Sequence, residues 1–290
     1  MPDELEANLL REALLQYLRE DIGFGDLTTE SIIPSNLFAE ATITSKSDGV
    51  VAGVRESQIL FQTADVKVAE SLDDGTEVRK DQVIMKLKGR VRSILTVERT
   101  VLNILMRMSG IASLTRKLID DARSVNPKIR IASTRKTTPG FRFFEKRAVG
   151  IGGGDSHRLR LDDLVLIKSN HITAIGGVEE AIRKAKAFTS FTKKIEVEAV
   201  SLDQAITAAK CRADIIMLDN MTPNEVEKVV VTLNAMGLKA GTLLEVSGGV
   251  TPDTLKTYAK TGVDVISMGL LTHSAKALDI NLKISKTWKE

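Results

Sequence analysis

The chain has 290 residues, 43% of them hydrophobic and 27% charged, with a net charge of +3. It is therefore rich enough in apolar residues to fold and too long for one hydrophobic core, which points to two domains or a large barrel with an attachment. A single cysteine, Cys211, excludes an internal disulfide framework, and His157, His171 and His273 leave few ligands for a zinc cluster. An aromatic content of 4% argues against single-strand nucleic-acid binding and against a sugar-stacking cleft. No apolar run reaches the ~18 residues of a membrane span, and the acidic start MPDELEANLL lacks the basic stretch of a secretory signal. A reduced compartment, most simply the cytoplasm, is expected.

An amphipathic helix opens the chain, with Leu5, Leu9, Leu10, Ala13, Leu14, Tyr17 and Leu18 on one face. Gly23 to Thr29 breaks it. From Ala39 to Leu87 the pattern is short and strand-like (ATITS, GVVAGV, DVKVAE, QVIMKL), separated by turn signals. A helix is expected from about Thr96, with Glu98 in its first turn. Its apolar stripe is Val97, Val101, Leu102, Leu105 and Met108, and its polar stripe is Arg99, Asn103 and Arg107. The rhythm then changes. IRIAS, LVLIK, KIEVEA, DIIML, TLLEVS and VDVIS are apolar, β-branched runs, each followed by a helical pattern, as parallel strands buried on both faces would be. These features predict an α/β fold: a barrel of about six or seven parallel strands over 109–275, preceded by an α+β domain over 1–108, with 276–290 free to pack back on the latter.

The working residues of such barrels lie at the C-terminal ends of the strands. Those positions carry Thr134, Arg135 and Lys136, then Lys168, Glu198, Asp219, Ser247-Gly248-Gly249 and Gly269. Positive charge is concentrated between Arg135 and Lys168, with Arg142, Lys146, Arg147, Arg158 and Arg160 in between. A local cluster of this kind suits a small anionic ligand, although a solvated basic face is the usual origin of a charge run. Glu198 and Asp219 are the carboxylates among these cations. So placed, they could hold a divalent metal, position ribose hydroxyls, offset a developing positive charge, or merely pair with a lysine. SGGV and SMGLLTHS each offer glycine-exposed amides before a helix, an arrangement that cradles phosphate. The glycine-rich run GIGGGDSHRLRLDD is no dinucleotide fingerprint, because no strand–glycine–helix unit surrounds it. Within it His157, beside Arg158, is read as a substrate contact. His171 is read as a hydrogen-bonded helix-start residue, and His273 as either a phosphate contact or a plain helix residue.

These segments resemble, in order and over essentially the whole length, the quinolinate phosphoribosyltransferase family. The resemblance rests on EDIGFGDLTT, TVERTVLNILMRMSGIASLT, STRKTTPGFR, GGGDSHRLRLDDLVLIKSNHI, IEVEA, IMLDN, EVSGGV and SMGLLTHS. It implies an open-faced α/β sandwich joined to an incomplete barrel, and an enzyme acting on quinolinate and phosphoribosyl pyrophosphate with Mg²⁺ near Glu198 and Asp219. It further implies that Thr134, Arg135, His157, Arg158 and Lys168 hold quinolinate. Phosphoribosyl pyrophosphate would be met by Lys136, Lys168, Glu198, Asp219, Ser247, Gly248, Gly249, Met268, Gly269, Leu270 and His273. Lys168, Glu198 and Asp219 would be catalytic, and Arg99 would reach into a neighbouring subunit's site, so that a homodimer or higher homo-oligomer is expected. Ser133, Arg160 and Ser169 depart from the family's usual aspartate, glycine and acid. Three other readings stay open: a sister enzyme encoded beside molybdenum genes, a Schiff-base aldolase using Lys168, and a non-catalytic phosphate-binding module. The TTPG after TRK favours the quinolinate enzyme over the sister.

Overall fold

The computed structural model describes residues 2–289, with the side chains of residues 2–7 and 9 outside the description. The chain divides into two compact units, Met1–Leu114 with Ala275–Glu290, and Thr115–Ser274. The sequence reading had put that division at 108/109.

The first unit contains α1 (Pro2–Ile22), α2 (Leu27–Ile32), β1 (Leu37–Ser45), β2 (Gly49–Val50), α3 (Val54–Thr63), β3 (Lys67–Ser71), β4 (Glu77–Val78) and β5 (Val83–Arg90). The long helix α4 (Val91–Arg123) follows β5 directly. In α1, Leu10, Leu14 and Leu18 are buried at the spacing that the amphipathic pattern demands, while Leu5 and Leu9 lie outside the described side chains. Three expectations need correction here. The break after α1 ends at Asp26, not Thr29, because the Asp26 carboxylate accepts the Thr29 amide at 3.0 Å and starts α2. GVVAGV is a strand only at Gly49–Val50. Asp74 Oδ1, distant in sequence, accepts the Gly53 and Val54 amides at 2.8 and 2.9 Å and so caps α3. Helix α4 begins at Val91 rather than near Thr96, so its first turn carries no acid and Glu98 lies beyond it.

The expected stripe of α4 is buried from Val97 to Met108. Two hydroxyls behind it add polar anchors: Ser113 accepts the Val50 amide at 2.7 Å and Ser109 accepts that of Ala52 at 2.9 Å. The sheet of this unit has the order β12-β1-β5-β3, in which β12 (Ile280–Lys289) pairs antiparallel with β1 from Leu37↔Lys289 to Ser45↔Ile280.

The second unit alternates strand and helix: β6 (Arg130–Ala132), α5 (Arg142–Ile151), β7 (Val165–Ile167), α6 (Ser169–Ile175), α7 (Val178–Phe188), β8 (Ile195–Ala199), α8 (Leu202–Lys210) and β9 (Ile215–Asp219). It continues through α9 (Pro223–Ala235), β10 (Leu243–Ser247), α10 (Leu255–Ala259), β11 (Val265–Ser267) and α11 (Leu270–His273). Its six strands form one parallel sheet in the order β6-β11-β10-β9-β8-β7, the open arrangement of an incomplete barrel. All six come from the β-branched runs picked out in the sequence. Local signals define their helices: Ser201 accepts the Gln204 amide at the start of α8, and Thr222 forms a capping box with Glu225 before Pro223 in α9. No helix among the described residues is long and apolar enough to cross a membrane.

Candidate active site

A parallel strand places its last residue at the rim and alternates its side chains between inside and outside. In the second unit this geometry opens a cavity of about 690 Å³. Of the residues expected to bind substrates, Thr134, Arg135 and Lys136 line it after β6, His157 and Arg158 after the glycine-rich loop, and Lys168 after β7. Glu198 of β8, Asp219 of β9 and Ser247-Gly248-Gly249 after β10 complete the expected set. The remaining expected contacts do not line the cavity. Met268 is buried, its amide bonded to the Ala132 carbonyl at 2.8 Å. Gly269, Leu270 and His273 belong to the neighbouring turn, and Arg99 is an exposed residue of α4 in the first unit.

The acids and lysine form a connected group. Lys168 Nζ donates to Glu198 Oε1 at 2.7 Å, while the Ser169 amide donates to Oε2 at 3.0 Å and its hydroxyl lies 3.4 Å from the same oxygen. Ser169, where the family commonly has an acid, thus gives Glu198 a donor where a second carboxylate would repel it. Burial, and then the Glu198 charge, push the Asp219 carboxyl above its ordinary range. Lys168 does not stand among cations alone, as a Schiff-base lysine would require. Its ammonium is instead paired with Glu198 Oε1 at 2.7 Å, and half of its side chain is exposed. His171 plays the structural part expected of it, its Nδ1 accepting the Lys168 amide at 2.9 Å where α6 begins.

The basic side is built on a buried lysine. Lys146 of α5 is 2% exposed. Its ammonium donates to the Arg158 carbonyl at 2.8 Å, more closely to that of Ser156, and lies 3.4 Å from Ser133 Oγ. Ser133, where aspartate is usual in the family, itself donates to the Ser156 carbonyl at 2.8 Å. Lys146 therefore ties the turn carrying Arg135 to the turn carrying Arg158. Burial first, and then the Arg142 charge, pull its pKa from 10.5 down to about 8. Arg158 is nearly buried, and desolvation together with Arg135 lowers its pKa too. Two guanidinium groups held together in this way favour an anion between them. Arg160, the third departure, is exposed and lies 3.7 Å from Asp162, and it does not line the cavity.

The glycines have separate reasons. Gly248 has φ 82° and Gly249 φ 67°, a left-handed pair, and a side chain on Gly248 would collide with Asn220. No helix follows them directly, because α10 begins only at Leu255. Any phosphate held here would meet turn amides rather than a helix terminus, which corrects the expectation for SGGV. At Gly269 a Cβ would stand 2.9 Å from the Lys136 side chain and 3.0 Å from His273 Nε2, so a larger residue would have to displace these two side chains.

Sequence reasoning missed Glu196 and Glu245. Both are buried, Glu245 lines the cavity, and they lie 3.4 and 3.3 Å from His157 Nε2. Strand alternation was the signal available, since Glu196 shares a strand face with Glu198, and Glu245 with Ser247.

Comparison with known proteins fits this geometry. Family models described as the N-terminal and C-terminal domains of quinolinate phosphoribosyl transferase match residues 26–109 and 111–283. A relative in Archaeoglobus fulgidus, named "Probable nicotinate-nucleotide pyrophosphorylase (carboxylating)", is 51% identical over 90% of this chain and 98% of its own. The human nicotinate-nucleotide pyrophosphorylase (carboxylating) is 38% identical over 92% of this chain and 89% of its own. The solved nicotinate-nucleotide pyrophosphorylase of Francisella tularensis superposes with a TM-score of 0.89 at 35% identity, covering 96% of this chain and 97% of its own.

Proposed function

Since the chain belongs to the quinolinate phosphoribosyltransferase family, we propose that it transfers the phosphoribosyl group of phosphoribosyl pyrophosphate to quinolinate, with loss of CO₂. The products are nicotinate mononucleotide and pyrophosphate, a step of NAD biosynthesis. One observation carries this reading. A single cavity is lined by basic residues (Arg135, Arg158, Lys136), an acidic pair (Glu198, Asp219) and a left-handed glycine turn. A dicarboxylate, a ribose and a phosphate are the groups these three features recognise.

Arg135 and Arg158 take the quinolinate carboxylates, and Arg135 Nε, buried without a partner among the described residues, is a donor suited to one of them. The ring nitrogen attacks C1 of the ribose as pyrophosphate leaves, and positive charge develops on the sugar. Glu198 and Asp219 offset that charge, while Lys136 and Lys168 face the departing pyrophosphate. Once alkylated, the ring nitrogen is cationic. The adjacent carboxylate then departs as CO₂, leaving its electron pair on the ring carbon, and a proton takes its place. Desolvation of that carboxylate favours this second step.

The oxygen donors of Glu198 and Asp219 suit Mg²⁺, and the Glu198 charge raises the Asp219 carboxyl, which a cation there would offset. When bound there, Mg²⁺ would supply charge neutralisation of the pyrophosphate. Arg99 serves the neighbouring subunit's site in a homodimer or larger homo-oligomer, and the enzyme works in the cytoplasm.

The test is incubation with quinolinate, phosphoribosyl pyrophosphate and Mg²⁺. Stoichiometric CO₂ and nicotinate mononucleotide are expected. Turnover of nicotinate instead of quinolinate, or of neither, would refute the reading.

A further inference from the structure

Barrel interiors are normally filled by branched aliphatic side chains. Here Glu196 of β8 and Glu245 of β10 occupy interior positions, 0% and 1% exposed. Neither Glu196 oxygen, nor Glu245 Oε1, nor Ser267 Oγ, has a hydrogen-bond partner among the described residues. Buried carboxylates without partners are costly and call for an explanation. What they face is His157 Nε2, nearly midway between them at 3.4 and 3.3 Å. The other ring nitrogen is already engaged, since Nδ1 accepts the Arg158 amide at 2.8 Å.

Three ligand-type atoms within 4.8 Å of one another could suggest a metal ion. The ring's proton count argues otherwise. Burial opposes charge on the ring, while Glu196 and Glu245 favour it and lift its pKa to about 10. An imidazolium could not accept the Arg158 amide, however, so the Nδ1 contact assigns a single proton, on Nε2. Nε2 could bind a metal only as imidazolate, or after the Arg158 amide had turned away. A single Nε2–H directed between the two carboxylates engages both without either change.

The backbone shows why such a fastening is needed. His157 has φ 52°, a left-handed conformation that a non-glycine residue keeps only when its surroundings hold it. Asp155 Oδ1 accepts its amide at 2.7 Å, and the two glutamates grip the far end of its ring. Glu196 also attracts the neighbouring Arg158 guanidinium.

We propose that Glu196 and Glu245 are positioning residues: they keep the His157 proton on Nε2 and hold ring and turn in the arrangement that presents Arg158 to the cavity. This rests on quinolinate being the anion that Arg158 receives, and the test separates the two claims.

With three histidines in the chain, ¹⁵N-histidine NMR of the full-length protein can identify His157 by its loss in His157→Gln. The expected spectrum has His157 protonated at Nε2 with Nδ1 accepting. The opposite tautomer in the wild type overturns the proposal, whatever the substrate. In the Glu196→Leu/Glu245→Leu double variant, a mixture of tautomers is expected. Its KM for quinolinate should rise about tenfold, with kcat and the KM for phosphoribosyl pyrophosphate within about twofold, the size expected for a lost charged hydrogen bond. Single Glu→Gln variants keep an acceptor and should stay within about threefold of wild type. A folded double variant with unchanged tautomer and unchanged quinolinate KM overturns the proposal, as does an equal loss in every kinetic constant. If the double variant does not fold, the single Glu245→Leu variant is measured by the same criteria. Stoichiometric Mn²⁺ or Zn²⁺ binding that removes the His157 N–H signal in the wild type would establish a metal site instead. If the wild type does not turn over quinolinate, the functional reading fails while the tautomer measurement still decides the positioning role.

Discussion

Replacing Lys146 by methionine tests how the basic wall is built, because the change keeps the aliphatic stem and removes the ammonium. In the folded protein the Lys146 pKa falls from 10.5 to about 8, through burial and then the Arg142 charge. At about 1.36 kcal/mol per unit, that drop corresponds to about 3 kcal/mol favouring the neutral amine over the ammonium. Between pH 8 and 10.5 the unfolded chain binds the proton that the folded chain has released, so stability rises with pH across this window and is flat, from this group, below it. Methionine cannot titrate. The difference in unfolding free energy between wild type and Lys146→Met should therefore grow in favour of wild type by up to about 3 kcal/mol over that range. Below pH 8 two opposing effects remain in the variant: relief from burying a charge, and an Arg158 carbonyl left unpaired at a cost of about 1–3 kcal/mol, while the Ser156 carbonyl keeps the Ser133 hydroxyl. The two nearly cancel, so a net change within about 2 kcal/mol is expected at neutral pH. Urea unfolding of both proteins at several pH values from 7 to 10.5 measures the quantity directly. A difference that stays constant with pH would show that Lys146 is not a buried, depressed amine, and the account of the two tied turns would fall with it.

Arg158→Ala should weaken quinolinate binding about tenfold or more, the value of a lost charged hydrogen bond, while phosphoribosyl pyrophosphate binding changes much less; equal effects in calorimetry would contradict the assignment. Borohydride treatment with a carbonyl substrate should add no mass to Lys168, since its ammonium is paired with Glu198, and Lys168→Met should simply lose turnover. Mixing inactive Arg99→Ala and Glu198→Ala chains should restore about a quarter of the sites if Arg99 acts in trans in a symmetric dimer. No recovery, with subunit exchange demonstrated independently, would place Arg99 outside the neighbour's site.

Much of this molecule is written in local pattern. The six parallel strands could be read from apolar, β-branched runs, because burial on both faces leaves no polar alternation. Once the strands were placed, the rim residues Arg135, Lys168, Glu198 and Asp219 followed from where parallel strands end. His171 was legible as a helix-start residue for the same reason, since its partner lies three residues away. Other features depended on partners that no window of sequence contains. Asp74 starts α3 from some twenty residues away, and although residues 276–290 were expected to pack back on the first domain, their pairing with β1 as an antiparallel strand was not legible. Lys146 looked like one more cation in a charge run, and only the packing of α5 made it a buried strut. Glu196 and Glu245 are ordinary strand residues until the sheet brings β8 and β10 to either side of His157. Periodicity tells which way a side chain faces, but what it meets there is set by chain segments whose approach only the folded sheet decides.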